Sequence, residues 1–264
     1  MIMQSYKMTV VIIGSGNVAT VMGNRIVAAG HTILQVAARR EEAAARLAGE
    51  WGCGYTTRLS AIAAGADIYI VALSDQATLE LEQVLSLPDR LVVHTAGAVP
   101  RAALLAVSER SGVLYPLQSL RKEIRPFPEF PLLIDANREA DLPVIEAFAR
   151  TISRQVQRAD DGMRLKLHVA AVFANNFTNY LYTLAADFCR QEQIDFALLL
   201  PIIRETAERI GHYPPREVQT GPAVRGDHAT MERHLQLLNN YNNMSELYRL
   251  FSARIEEYYK GVVR

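Results

Sequence analysis

The chain has 264 residues, half of them hydrophobic and 21% charged, which suits one large or two modest folded domains and excludes a disordered chain. Basic and acidic residues balance at 28 each, leaving no basic surplus for nucleic acid or an anionic membrane. The two cysteines, Cys53 and Cys189, make neither a disulfide framework nor a metal signature.

The opening MIMQSYKMTV lacks a signal-peptide pattern, and no apolar run approaches membrane-spanning length, so a cytoplasmic protein is expected. Thr9 to Thr20 then reads TVVIIGSGNVAT. A buried-strand run breaks at Gly14-Ser15-Gly16-Asn17-Val18-Ala19 and resumes as an amphipathic helix through Val21, Met22, Ile26 and Val27. This is the G-x-G-x-x-G/A turn that carries a dinucleotide pyrophosphate on the helix start, met in its proper strand-to-helix context. Gly14, Ser15, Gly16, Asn17 and Val18 are the expected pyrophosphate contacts.

Thr32 to Ala37 is the expected second strand, and its tip reads Ala37-Ala38-Arg39-Arg40 with no acid before Glu41. A carboxylate there would accept from a ribose 2′-OH and repel a 2′-phosphate, whereas guanidinium groups bind the phosphate. Arg39, with Arg40 second, therefore points to NADP(H).

A helix over Glu41 to Ala48, a strand near Gly54 to Thr56 and a helix near Ser60 to Ala64 follow. The buried run Asp67 to Leu73 leads to Ser74 or Asp75, which caps a helix over Gln76 to Leu85. Strands are expected at Leu91 to His94, Val113 to Tyr115 and Pro131 to Ile134. Such alternation predicts a Rossmann-type, mostly parallel sheet covered by helices. From Met163 onward strand signals nearly vanish. One long helix is expected over Met163 to Gln191 and another over Asp195 to Ile210. A Gly/Pro-rich connection (His212 to His228) precedes helices near Thr230 to Leu238 and Ser245 to Lys260. The predicted division is a nucleotide-binding domain over 1–160 and an all-α domain over 161–264, rich enough in apolar surface to suggest a homodimer.

In such sheets ligands lie beyond the carboxyl ends of the strands. Ser74 and the loop His94-Thr95-Ala96-Gly97 are expected to border the nicotinamide. Tyr115 and Gln118 follow another strand and can turn polar groups into the cleft. On the long helix, Arg164, His168, Val172, Asn175 and Asn179 share a stripe at 100° per residue, with Asn176 at its edge. Asparagines in an apolar helix need partners, which a polar cleft or a helix–helix interface supplies. His168 is the stripe's general acid/base, since imidazole exchanges protons near neutral pH. Arg225, in the loop Gln219 to Asp227, is a candidate for a substrate carboxylate.

GSGNVA, HTAGAVP, YPLQSL, KLHVAAVFANNFTNYLY and QTGPAVRGD together resemble a bacterial family that joins a Rossmann-like domain to a helical domain of unknown function. The resemblance covers nearly the whole chain. The architecture is also similar to the 6-phosphogluconate and β-hydroxyacid dehydrogenases, pyrroline-5-carboxylate reductase and ketopantoate reductase. That likeness implies hydride transfer between a nicotinamide cofactor and a small carboxylate-bearing substrate, with pairing through the helical domain. Asn176 matches an Asn of the β-hydroxyacid dehydrogenases, but Val172 stands where they carry a Lys. The expectation is an NADPH-dependent reductase of a small keto- or imino-acid, with His168 and Asn176 catalytic and Gln118, Asn175 and Arg225 binding substrate. The alternative is an NADP(H)-binding sensor without turnover.

Overall fold

The computed structural model describes residues 7–261 and divides into two compact units, 1–177 and 178–264. The first is built on one eight-stranded sheet in the order β3-β2-β1-β4-β5-β6-β7-β8. Its strands are β1 (Thr9–Ile13), β2 (Thr32–Ala37), β3 (Gly54–Thr56), β4 (Ile68–Val71), β5 (Val92–His94), β6 (Ser111–Pro116), β7 (Leu132–Ala136) and β8 (Val156–Arg158). Every pair is parallel except β6 with β7. The mostly parallel Rossmann-type sheet is therefore as the sequence implies.

The central strands β1 and β4–β7 are buried on both faces because their apolar side chains alternate between two cores. Val10 and Ile12 of β1 face one cluster and Val11 and Ile13 the other. The first cluster is closed by α1 (Asn17–Ala28) and α4 (Leu142–Ile152), through Met22, Ile26, Ile145 and Phe148. Between them in the chain lie α2 (Glu41–Trp51) and the short α3 (Asp75–Leu79). The second face is closed by irregular segments carrying Leu81, Leu85, Leu104 and Val107.

Several local expectations shift. The helix expected at Ser60 to Ala64 is a single 3-10 turn, Leu59–Ala61, and the one expected over Gln76 to Leu85 ends at Leu79. Strand β8 and helix α4 have no counterpart among the expectations above. Helix α4 begins with Pro143 in its first turn and buries Leu142, Ile145, Phe148, Ala149 and Ile152 at helical spacing.

The first compact unit runs on to Phe177. Helix α5 (Asp161–Ala171) packs on the sheet of the first unit, with Leu167 against Val113, Tyr115 and Leu133. The chain then runs through a π-helical segment, Val172–Phe177, before α6 (Thr178–Gln191), so the long helix is interrupted. The second unit comprises α6, α7 (Leu200–Arg209), α8 (His228–Leu237) and α9 (Asn242–Tyr259). Among its described residues the buried apolar side chains are Cys189, Ala223, Met231 and Leu238, while Leu198, Ile202, Leu237 and Tyr258 are exposed.

Candidate active site

The turn between β1 and α1 is shaped by crowding. Gly14 has φ +131°, and a Cβ there would lie 2.2 Å from the Ala72 carbonyl oxygen of the neighbouring strand's end. Its N–H donates to the Ala37 carbonyl at 2.8 Å. Two residues on, Gly16 is exposed, and a Cβ built there meets nothing within 4 Å. Helix α1 has no acidic residue in its first turn and no side-chain cap. Its first intrahelical donor is Thr20 N–H to the Gly16 carbonyl at 3.0 Å. The amides of Asn17 and Val18, both part-exposed, thus have no helical acceptor, and with the open space at Gly16 they fit a pyrophosphate.

Arg39 and Ser74 line one cleft of ≈ 260 Å³ beside this turn, with Ile13, Ala38 and Ala77. Ser74 Oγ accepts from the Ala77 N–H at 3.4 Å and so caps α3. Arg40 is not in the cleft wall; it is the exposed N-cap residue of α2. Of the two arginines, Arg39 is therefore the one that lines the cleft.

The loop after β5 begins at a buried residue: His94 is wholly buried. Its Nδ1 accepts from the Ala96 N–H at 3.3 Å. Burial, then the nearby Arg164 guanidinium, lowers its pKa to about 4, which keeps the ring neutral. Thr95 turns inward as well, its hydroxyl donating to the Val71 carbonyl at 3.2 Å. Ala96 and Gly97 are buried, which leaves this loop to act through backbone.

Arg164 anchors the same loop from α5. Its guanidinium is 1% exposed, donates to the Val99 carbonyl and pairs with Asp161 at 2.8 Å. Asp161 also accepts from the Arg101 N–H at 2.9 Å. The start of α5 and the 94–101 loop are thereby fastened together.

A second cleft, of ≈ 350 Å³, opens where β6 ends beside α5 and is lined by Tyr115, Gln118, Ser119, His168, Val172, Asn175 and Asn176. Neighbouring residues 175 and 176 both reach it because the π-helical segment has a wider turn, a feature that recurs at functional sites. Lys166 lies outside the lining, as its place on the opposite side of the helix implies. The Tyr115 hydroxyl is 3.0 Å from His168 Nδ1. This pairing across 53 positions is invisible to sequence spacing; Gly97 is the nearest signal. A Cβ at Gly97 would lie 2.7 Å from His168 Nδ1 and 2.9 Å from Tyr115 Cζ. Arg225 lies in the second unit and is exposed, while Asp227 caps α8 by accepting from the Thr230 N–H at 3.1 Å.

Among the described residues no group of side chains has metal-binding arrangement, and no helix is long and apolar enough to cross a membrane. Residues 9–97 match the family model described as NADP oxidoreductase coenzyme F420-dependent, and residues 130–255 match a domain of unknown function, DUF2520. No match is found among curated proteins. Solved structures are more informative. A Bacteroides fragilis protein assigned as an NADP oxidoreductase is 36% identical, with TM-score 0.87, covering 96% of this chain and 100% of its own. An imine reductase from Myxococcus stipitatus in complex with NADP+ is 16% identical, with TM-score 0.64 over 94% of this chain and 93% of that one. A 1-pyrroline-5-carboxylate reductase from Streptococcus pyogenes is 12% identical, with TM-score 0.61 over 95% and 99%. These last two share the fold. The open helix start, the Arg39 cleft and the close full-length relative together place the chain in the family of NADP oxidoreductases that join this nucleotide-binding domain to a DUF2520 domain.

Proposed function

We propose that the protein reduces a small keto- or imino-acid with NADPH. The observation that carries this reading is the pair of clefts on the first unit, one holding Arg39 beside the pyrophosphate turn and the other holding His168, Asn175 and Asn176. When bound, NADPH supplies the hydride. Ser15, Gly16, Asn17 and Val18 hold the pyrophosphate through backbone amides, Gly14 shapes the turn that presents them, and Arg39 holds the 2′-phosphate. The backbone of Ala96 and Gly97 borders the nicotinamide. His168 and Asn176 face the reacting centre, and Gln118 and Asn175 orient the substrate. The names of the imine reductase and of the pyrroline-5-carboxylate reductase favour imines within this class.

The exposed side chains Leu165, Val169, Phe173 and Phe177, spaced by four residues, together with exposed Leu198 and Ile202, support pairing with a second copy. Sedimentation of a dimer is the expected result, and a monomer at micromolar concentration would contradict it.

The functional test is a screen for NADPH oxidation against pyruvate, other 2-oxo acids and cyclic imines. Consumption with at least one of these is expected. Tight NADPH binding with no consumption by any of them would instead favour the sensor reading, which Val172 in the cleft wall keeps in play.

A further inference from the structure

We propose that the Tyr115 hydroxyl, rather than His168, delivers the proton to the substrate heteroatom, and that His168 is a positioning residue whose Nδ1–H donates to the phenolic oxygen. The inference rests on the reductase reading above and adds the identity of its acid.

Three observations carry it. Tyr115 and His168 both line the same cleft, so either has access to a ligand there. Their 3.0 Å contact joins the phenolic oxygen to Nδ1, and the rings meet edge to face at 69°. Gly97 then leaves no room beside the pair, since a Cβ would be 2.7 Å from that same nitrogen. The hydrogen bond is thus pressed against the loop expected to border the nicotinamide, where proton and hydride must meet.

The direction of this hydrogen bond decides the chemistry. If Nδ1 carries the proton, the phenolic oxygen accepts, and its own O–H is turned toward the cleft. If Nδ1 is bare, the hydroxyl is consumed by the ring and has nothing to give. Burial first, and then the Asp75 carboxylate, push the Tyr115 hydroxyl above its ordinary range, with the Arg164 guanidinium opposing. The group is therefore a proton reservoir at neutral pH. Such an acid needs help in letting go, and an imidazole N–H aimed at the incipient phenolate supplies it.

In the step itself, the substrate's C=O or C=N carbon gains hydride and its heteroatom gains the Tyr115 proton. The C–heteroatom π bond and the tyrosine O–H bond break, a C–H bond and an O–H or N–H bond form, and NADPH leaves as NADP+. The phenolate that remains keeps the His168 Nδ1–H bond and takes its replacement proton from water through the open cleft.

The test has one readout that needs no substrate. In nitrogen-15 spectra of the histidine rings, assigned by comparison with His168→Asn, the His168 resonance should be that of the Nδ1–H tautomer and should change in Tyr115→Phe. An Nε2–H tautomer, with Nδ1 bare, overturns the proposal. The second readout is turnover with pyruvate and 1-pyrroline as probes. Tyr115→Phe should lose on the order of 100-fold or more in kcat, with NADPH affinity within about twofold of wild type. His168→Asn, whose amide N–H falls near the position of Nδ1–H, should retain far more activity than His168→Ala. A Tyr115→Phe enzyme that turns over at near the wild-type rate, or a His168→Asn enzyme as inactive as His168→Ala, overturns it. If wild-type protein fails to bind NADPH the reductase reading falls, whereas the tautomer still decides how the pair is arranged.

Discussion

Replacing Gly14 by alanine is expected to cost on the order of 3–5 kcal/mol of stability. Two penalties coincide at this position. A φ of +131° is one that an L side chain rarely adopts, and the added Cβ would sit 2.2 Å from the Ala72 carbonyl oxygen. Neither neighbour can yield easily. The Ala72 N–H donates to the Ile13 carbonyl and the Gly14 N–H to the Ala37 carbonyl, both at 2.8 Å. Relief therefore requires β1 to move relative to β2 and β4 at the centre of the sheet. Urea titration should show a much lower midpoint with an unchanged slope. A midpoint within error of wild type would mean that the turn is not held as described. Gly16→Ala is the control, because its Cβ meets no protein atom; it should leave stability nearly unchanged and weaken NADPH binding.

Acidification should destabilise the fold through His94, by roughly 3 kcal/mol for a pKa lowered from 6.5 to about 4. The sign follows from proton binding. Above pH 6.5 the ring is neutral in both folded and unfolded chains and its contribution is fully present. As pH falls from 6.5 toward 4 the unfolded chain takes up a proton that the buried ring refuses, so stability is lost across that window. Burial is the first cause and the Arg164 charge the second. His31 is also lowered by burial, so part of the acid sensitivity belongs to it. Unfolding free energies at pH 7 and pH 4.5 should differ by clearly less in His94→Asn than in wild type. Equal differences in the two proteins would show that His94 titrates normally in the folded state.

Much of the first unit was legible because its signals are local. The run Val10 to Ile13 followed by Gly14 and Gly16 carries strand, turn and helix start within a dozen residues, and the absence of an acid before Glu41 is read directly at the strand tip. The choice between Arg39 and Arg40 was not local: α2 begins at Glu41, which makes Arg40 its N-cap and leaves Arg39 in the cleft wall. The burial of His94 is non-local in the same way. A polar residue at a strand end looks like a ligand contact, but β5 is central and flanked by β4 and β6, so its last side chain is sealed in. Helix α4 was readable from its apolar spacing, yet it follows a β-hairpin that breaks the simple strand–helix alternation. The π-helical insertion has no spacing signature, and it carries both Asn175 and Asn176 of the cleft wall. The Tyr115–His168 contact depends on α5 packing across β6, which the chain order does not disclose.

The central claim is that Arg39 and the Gly14–Val18 turn form an NADPH site. Calorimetric titration of the wild-type protein with NADPH and with NADH tests it most directly. NADPH should bind at least tenfold more tightly, about 1.4 kcal/mol, and Arg39→Ala should erase most of that preference while Arg40→Ala erases little. Equal affinity for the two nucleotides, or binding of neither at millimolar concentration, would contradict the account.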